Sequence, residues 1–352
     1  MISVGILGCG RISRRHADLL GGGVIPGAKL VAACDIDESR AQKYAKDFGI
    51  AAYRKIDDFL QHPGLDVVAV LTPSGMHAEH TIAVAARGKH IVVEKPMALT
   101  LADADKMLAA CDKGGVRLFV VKQNRFNVPV VKAREALEKG RFGKLVLGTV
   151  RVRWCRDQSY YDNDAWRGTW RQDGGVLSNQ ASHHVDMLDW FMGGVESVSA
   201  RAITAIAKIE AEDTAVATLK FKNGALGLIE ATTATRPKDM EGSLSIMGDG
   251  GAVEIAGFSV NKIRTWQFVE ALPDDVEIME KFSVNPPNVY GFGHQAYYTH
   301  VIECLESDKP ALVDGHEGRR SLELICALYE SIETGKEVRL PLVSQNCRLG
   351  IG

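Results

Sequence analysis

Three stretches of this sequence carry side chains suited to proton and hydride chemistry. In the first, Glu94-Lys95-Pro96 follows the apolar pair Val92-Val93. A lysine hemmed in by apolar neighbours is costly to desolvate, and a chemical task is one reason to keep it there. A nearby cation would lower its proton affinity, and Glu94 would raise it. In the second, Asp173-Gly174-Gly175 leads to Asn179, His183 and Asp186. The spacing predicts one helix opening at the glycines, with Asn179 and His183 four residues apart on a shared face. Asp186, three residues further on, is placed to orient a histidine. Amide, imidazole and carboxylate at a helix start suit the oxidation of an alcohol, because an imidazole with an ordinary pKa of about 6.5 can take the hydroxyl proton. The third stretch holds Arg141, Lys144, Arg151, Arg153, Arg156, Arg167 and Arg171 against Asp157, Asp162 and Asp164. Trp154, Tyr160, Tyr161, Trp166 and Trp170 are interleaved with them. Guanidinium forks bind phosphate and carboxylate, and the rings can stack on a base or sugar.

Each stretch also has a purely structural reading. Lys95 would then be a strand-end lysine in a salt bridge, His183 a core histidine on a capped helix, and the basic stretch a solvated strand face with a tryptophan-anchored loop. His183 and His184 are adjacent, so they point to different faces, and no HExxH spacing occurs; no metal site is expected. One short basic stretch is also a poor signal for binding single-stranded nucleic acid.

The elements that must position these residues divide the chain in two. The apolar run Ile2 to Leu7 ends in Gly8-Cys9-Gly10-Arg11-Ile12-Ser13, and a second run, Leu30 to Cys34, ends in Asp35. This pattern predicts the first βαβ unit of a dinucleotide-binding fold. Gly8 makes the tight turn, Gly10 lets a pyrophosphate approach the backbone N–H groups, and Ser13 is small enough for close packing. Asp35 would accept ribose hydroxyls and repel a 2′-phosphate, so NAD is expected rather than NADP. Strand-like runs at 65–71, 90–93 and 117–121 alternate with helical patterns, which argues a doubly wound parallel sheet. The turns at 8–13, 72–77 and 94–97 then face one crevice at the carboxyl ends of its strands. After Gln123 the pattern changes to one helix, 128–139, and long strands of period two. Two hairpins are expected, around Lys222-Asn223-Gly224 and around 248–251. The fold class is therefore α/β. An N-terminal Rossmann domain covers 1–122, and a C-terminal α+β domain with a large, mostly antiparallel open sheet covers 123–352.

A chain of 352 residues is long for a single core, in keeping with two domains. Its net charge of −2 gives no general attraction to nucleic acid or an anionic membrane. No apolar run reaches the length of a membrane span, and Arg11, Arg14 and Arg15 interrupt the first apolar stretch too early for a signal peptide. The seven cysteines are scattered without a CxxC, which reads as buried free thiols in a reducing cytoplasm.

Taken together, Gly8-Cys9-Gly10-Arg11-Ile12, Thr72-Pro73…His77, Glu94-Lys95-Pro96 and the glycine-to-His183 segment resemble the glucose–fructose oxidoreductase/inositol dehydrogenase/rhizopine catabolism (Gfo/Idh/MocA) family. The resemblance covers nearly the whole chain. It implies a nicotinamide-dependent sugar or polyol dehydrogenase with Lys95, His183 and Asn179 in the catalytic site. It implies NAD contacts from Gly8, Gly10, Arg11, Ile12, Asp35, Thr72, Pro73, His77, Glu94, Lys95, Asn124, Trp166 and Arg167. Asn179 stands where many members carry Asp, and Asp173 replaces the first of three glycines. Gln123-Asn124-Arg125-Phe126-Asn127, Tyr160-Tyr161…Trp166-Arg167-Gly168-Thr169-Trp170 and Leu177-Ser178-Asn179-Gln180 are similar to a branch of bacterial dehydrogenases acting at C3 of UDP-N-acetyl-glucosaminuronate. That likeness implies substrate contacts from Lys95, Asn127, Arg153, Arg156, Tyr160, Arg167, Asn179 and His183, and a homodimer or homotetramer. A dehydrogenase of free sugar or inositol, and a sugar-responsive repressor on the same scaffold, remain the competing readings. Which of Lys95 and His183 is the base stays open.

Overall fold

The computed structural model describes residues 1–282 and 292–351, which form two compact units. The first contains 1–122 and 294–320; the second contains 123–293 and 321–352. The second domain was expected to be one continuous stretch from 123 onward, but the chain returns to the first unit at His294. The pairings that hold it there are long in sequence: Arg117 Nη2 donates to Lys309 O at 2.6 Å, and Val120 N to Val313 O at 3.3 Å. No sequence period signals such a return.

The first unit is built on six parallel strands: β1 Ile2–Leu7, β2 Ala28–Cys34, β3 Ala51–Tyr53, β4 Val67–Val70, β5 His90–Val93 and β6 Leu118–Val120. Their order is β3-β2-β1-β4-β5-β6, the doubly wound arrangement expected from the alternation of strands and helices. β4 is buried throughout, because helices cover both sheet faces and an unbroken apolar run is the pattern that suits it. Helix Glu38–Phe48 is capped by Asp37, which accepts from Ser39 N at 3.1 Å, and ends at Gly49 in the left-handed region. The order reverses beside β1, and the turns after β1 and β4 flank that switch point.

The second unit is an eight-stranded sheet of β7 Leu145–Arg153, β8 Val195–Ile203, β9 Thr214–Phe221, β10 Leu226–Thr232, β11 Glu241–Gly248, β12 Gly251–Ala256, β13 Lys262–Phe268 and β14 Val338–Arg339. The order is β13-β12-β11-β7-β10-β9-β8-β14; only β7 and β10 run parallel. Both expected hairpins are present, β9–β10 and β11–β12. On β9, Ala215, Ala217, Leu219 and Phe221 are buried while Val216, Thr218 and Lys220 are exposed, the alternation of a sheet with one covered face. Helix Ser182–Met192 covers that face. It comes so close that a Cβ on Gly148 of β7 would lie 2.7 Å from Met192 Sδ.

The segment expected as one helix from the glycines to Asp186 is two elements. A π-type turn spans Val176–Gln180, closed by Ala181 N donating to Val176 O at 2.8 Å, and the α-helix begins only at Ser182. The turn is held open from outside. Tyr329 Oη takes Gly175 N at 3.0 Å, Glu212 O takes Val176 N at 2.9 Å, and Glu212 Oε1 takes Leu177 N at 2.9 Å. Asn179 therefore rides on a local irregularity rather than on the α-helix that carries His183. All seven cysteines are free thiols, and no helix among the described residues is long and apolar enough to cross a membrane.

Candidate active site

In the first unit, Gly8 leaves β1 at φ +96°, and a Cβ there would lie 2.9 Å from the Leu71 carbonyl group. Only glycine suits that position. The space beside Gly10 is open, as an approaching phosphate requires. Ser13 holds this turn in place by donating its hydroxyl to Gly10 O at 2.6 Å. Arg11 is exposed and Ile12 half-buried on the same turn. Asp35 ends β2 with Oδ2 accepting Cys9 N at 2.7 Å and Oδ1 accepting Asp37 N at 2.8 Å. Each carboxylate oxygen keeps lone-pair capacity for a ribose hydroxyl. These residues fit NAD: Gly10 would face its phosphates and Asp35 its adenosine ribose.

Two neighbouring turns are locked together through His77. Its ring is fully buried, with Nδ1 2.8 Å from Pro96 O and Nε2 2.8 Å from Thr72 O. A direct cofactor contact by the His77 side chain is thereby corrected: both nitrogens are spent on protein carbonyls, and the residue clamps the Thr72-Pro73 turn to the Lys95-Pro96 turn. Burial lowers its proton affinity in spite of those two bonds. Glu94 also turns inward. Its Oε1 meets His16 Nε2 at 3.0 Å, and its Oε2 accepts the Lys95 backbone N–H at 3.0 Å. Burial alone would raise the Glu94 pKa, but the His16 hydrogen bond and the charges of His16, His294 and Lys95 outweigh it and bring it to about 2. His16 Nδ1 continues the network to Tyr298 Oη at 2.6 Å. His16, Glu94 and His294 are the one set of metal-type ligands that the described residues bring within 4.8 Å of one another. Hydrogen bonds already engage both His16 nitrogens, so the set reads as a proton-bonded network around the half-buried Lys95.

The second unit gathers most of the basic and aromatic residues expected at a substrate. The Arg167 guanidinium lies 4.4 Å from the Tyr160 ring centroid and 4.6 Å from that of Trp166. It donates from Nε to Asp164 at 2.9 Å and from Nη1 to Tyr160 Oη. Gln180 Nε2 donates to the same Tyr160 oxygen at 2.8 Å and to Asn179 Oδ1 at 3.2 Å. Burial raises the Tyr160 pKa, so the phenol keeps its proton at neutral pH. Arg156 lies 5.4 Å from the Tyr160 ring and is held by Asp239 at 3.0 Å. Beside the helix, His183 Nε2 meets the Gln123 amide nitrogen at 3.1 Å. Asn127 donates to Ser259 O at 3.1 Å, and Asn124, three residues earlier, is buried.

Two expectations are overturned here. Arg153 is not with Tyr160 and His183. Strand alternation puts it on the sheet face opposite helix Ser182–Met192, where it grips Glu230 with both arms at 2.6 and 2.8 Å. Asp186 does not orient a histidine. It forms a two-armed pair with Arg125 at 2.8 and 2.8 Å, both side chains almost fully buried, and also takes the Ser321 hydroxyl. Missed by sequence reasoning were His16, Tyr298, Gln123 and Gln180, along with the bonding role of Asp173. The position of His16, on the inward face of the first helix, is a signal that could have been used.

The family model described as "Oxidoreductase family, NAD-binding Rossmann fold" matches residues 2–122, and "Oxidoreductase family, C-terminal alpha/beta domain" matches residues 134–340. The chain belongs to the Gfo/Idh/MocA oxidoreductase family. It is an NAD-dependent dehydrogenase acting on a CH–OH group. Among solved Gfo/Idh/MocA structures, the WlbA dehydrogenase from Bordetella pertussis, in complex with NADH and UDP-GlcNAcA, is 43% identical. That alignment covers 97% of this chain and 99% of that one, with a TM-score of 0.89. WlbA from Chromobacterium violaceum, with the same two ligands, is 40% identical over 97% and 96% of the two chains, with a TM-score of 0.90. The myo-inositol 2-dehydrogenase of Thermotoga maritima is 29% identical, covering 96% of this chain and 98% of that protein.

Within this Gfo/Idh/MocA chain, Asp35 sets an expectation for cofactor choice. NAD should be preferred over NADP by at least about a hundredfold in kcat/KM, roughly 3 kcal/mol of gained charge-assisted hydrogen bonds and avoided repulsion. Equal kcat/KM values for the two cofactors would rule this out.

Proposed function

We propose that this protein oxidises the C3 hydroxyl of UDP-N-acetyl-glucosaminuronate with NAD. The product is the 3-keto sugar nucleotide, the substrate an aminotransferase needs on the way to diacetamido-uronic acids of surface polysaccharide such as O-antigen. The observation that carries the reading is the Arg167 guanidinium, packed between the Tyr160 and Trp166 rings and beside Arg156. A uronate brings a carboxylate and two phosphate charges to cations that Asp164 and Asp239 engage through single contacts, whereas a neutral sugar or inositol brings no charge to them. The two similar proteins solved with UDP-GlcNAcA support the same substrate class. In this reading His183 takes the hydroxyl proton, Lys95 donates a hydrogen bond to the substrate oxygen, and Asn179 positions a neighbouring hydroxyl. Bound NAD supplies the hydride acceptor.

A panel of UDP-sugars with NAD, followed by NADH absorbance, tests it. The uronate should be turned over, and UDP-N-acetylglucosamine, which lacks the carboxylate, should be at least about a hundredfold poorer in kcat/KM. Arg167→Lys should weaken the uronate far more than NAD, since lysine cannot reproduce a two-armed fork. Equal turnover of the two sugar nucleotides would overturn the substrate. So would good activity on free myo-inositol, the alternative that the Thermotoga relative keeps in view.

The same reading includes a homodimer or homotetramer formed through the uncovered sheet face. Val216, Leu226, Leu228 and Met247 are all more than 40% exposed on that face. Light scattering at micromolar concentration should report at least a dimer; a monomer would refute the assembly.

A further inference from the structure

We propose that Asp173 is a positioning residue that decides which end of the Asn179 amide meets the substrate. The inference deepens the proposed sugar-nucleotide oxidation and rests on it only in taking Asn179 to face a substrate hydroxyl. Asp173 is 2% exposed, and both its carboxylate oxygens accept: Oδ2 from Gly168 N at 2.8 Å, Oδ1 from Asn179 Nδ2. Its backbone is fixed as well, with N donating to Thr169 O at 3.1 Å and O accepting the Ser178 hydroxyl at 2.8 Å. A carboxylate with two accepting oxygens has nothing to offer an amide carbonyl, so the Asn179 NH2 must point at it. The Asn179 carbonyl is then turned the other way, where it accepts from Gln180 Nε2 at 3.2 Å. Gln180 Nε2 also donates to Tyr160 Oη, the oxygen that takes Arg167 Nη1. The chain of bonds thus runs from Asp173 through Asn179, Gln180 and Tyr160 to Arg167.

The consequence is polarity. An unconstrained asparagine can offer a hydroxyl either its N–H or its C=O. With its NH2 group turned to Asp173, Asn179 presents its carbonyl on the other side and accepts the hydroxyl's proton there in a hydrogen bond. The hydroxyl oxygen's lone pairs are thereby left to other donors. The swap of roles is equally clear: an amide at 173 and a carboxylate at 179 would pair in the same way and still present an acceptor.

The test uses the full-length enzyme with NAD. Asp173→Asn should lower kcat/KM for the sugar nucleotide by about 10- to 100-fold, the scale of one oriented charge-assisted hydrogen bond, with KM for NAD within about twofold. The double variant Asp173→Asn/Asn179→Asp should recover most of that loss. Wild-type kinetics in Asp173→Asn would overturn the proposal, as would a double variant that folds with an unchanged Tm yet is no better than the single. Should Asp173→Asn fail to fold, Asn179→Asp alone decides. It sets two carboxylates face to face that must share a proton, so its kcat/KM should fall as pH rises above neutrality and recover on acidification. A pH profile equal to wild type would overturn the proposal. Wild-type turnover of UDP-N-acetyl-glucosaminuronate is scored separately. If the panel identifies a different alcohol, the same ratios are read on that one, so the substrate can fail while the positioning role stands.

Discussion

Lys95→Ala should cut kcat by about a thousandfold, and His183→Asn by about a hundredfold or more, each with NAD binding close to normal. The scale is that of losing one positioned proton-transfer or hydrogen-bonding group. The two losses should differ in character. An ordinary imidazole titrates at about 6.5 and an ordinary lysine at about 10.4. If His183 is the base, its removal should erase the acidic limb of the kcat profile, whereas Lys95→Ala should lower the whole profile. NAD affinity, read by NADH fluorescence, separates chemistry from binding. If His183→Asn keeps near-normal turnover while Lys95→Ala abolishes it, the two roles are exchanged.

The largest effect on stability is expected at Asp186. Its carboxylate and the Arg125 guanidinium are 1% and 3% exposed, joined by two hydrogen bonds, with Arg125 lying 4.7 Å from the Trp190 ring centroid. Breaking a buried pair from one side takes two charge-assisted hydrogen bonds from a desolvated guanidinium, which costs about 3–5 kcal/mol. Asp186→Ala should therefore lower the unfolding free energy by that amount, read as a lower denaturation midpoint at unchanged m-value. Asp186→Ala/Arg125→Met should regain much of it, because the desolvated guanidinium is gone. A loss below about 1 kcal/mol in the single variant would show that water reaches the guanidinium, and would sink the argument.

Legibility followed the range of the interactions. Gly8, Gly10 and Asp35 could be placed because a tight turn, an open approach and a strand-end acid are local requirements. The two hairpins were readable from period-two strands around Gly224 and 248–251. Arg153 was misplaced because charge composition says nothing of the face a strand residue takes; the buried Val152 and Trp154 on either side held the answer. Asp186 looked like a histidine's partner by helical spacing, while its true partner Arg125 lies 61 residues away in sequence. The π-type turn at Val176–Gln180 depends on Glu212 and Tyr329, which no local pattern could supply.

The return of residues 294–320 to the first unit constrains how the chain is born. When residue 122 leaves the ribosome, the parallel sheet can pair, but Tyr298, which closes on His16, has not yet been made. At a synthesis rate of roughly 5–20 residues per second, the nascent unit waits on the order of 10–30 seconds for that segment. Throughout that interval Arg117 lacks the carbonyls of Cys304 and Lys309. The second sheet emerges meanwhile and can fold around its own hairpins. Vectorial synthesis thus makes each unit wait for a later stretch of chain: the first for 294–320, the second for 321–352.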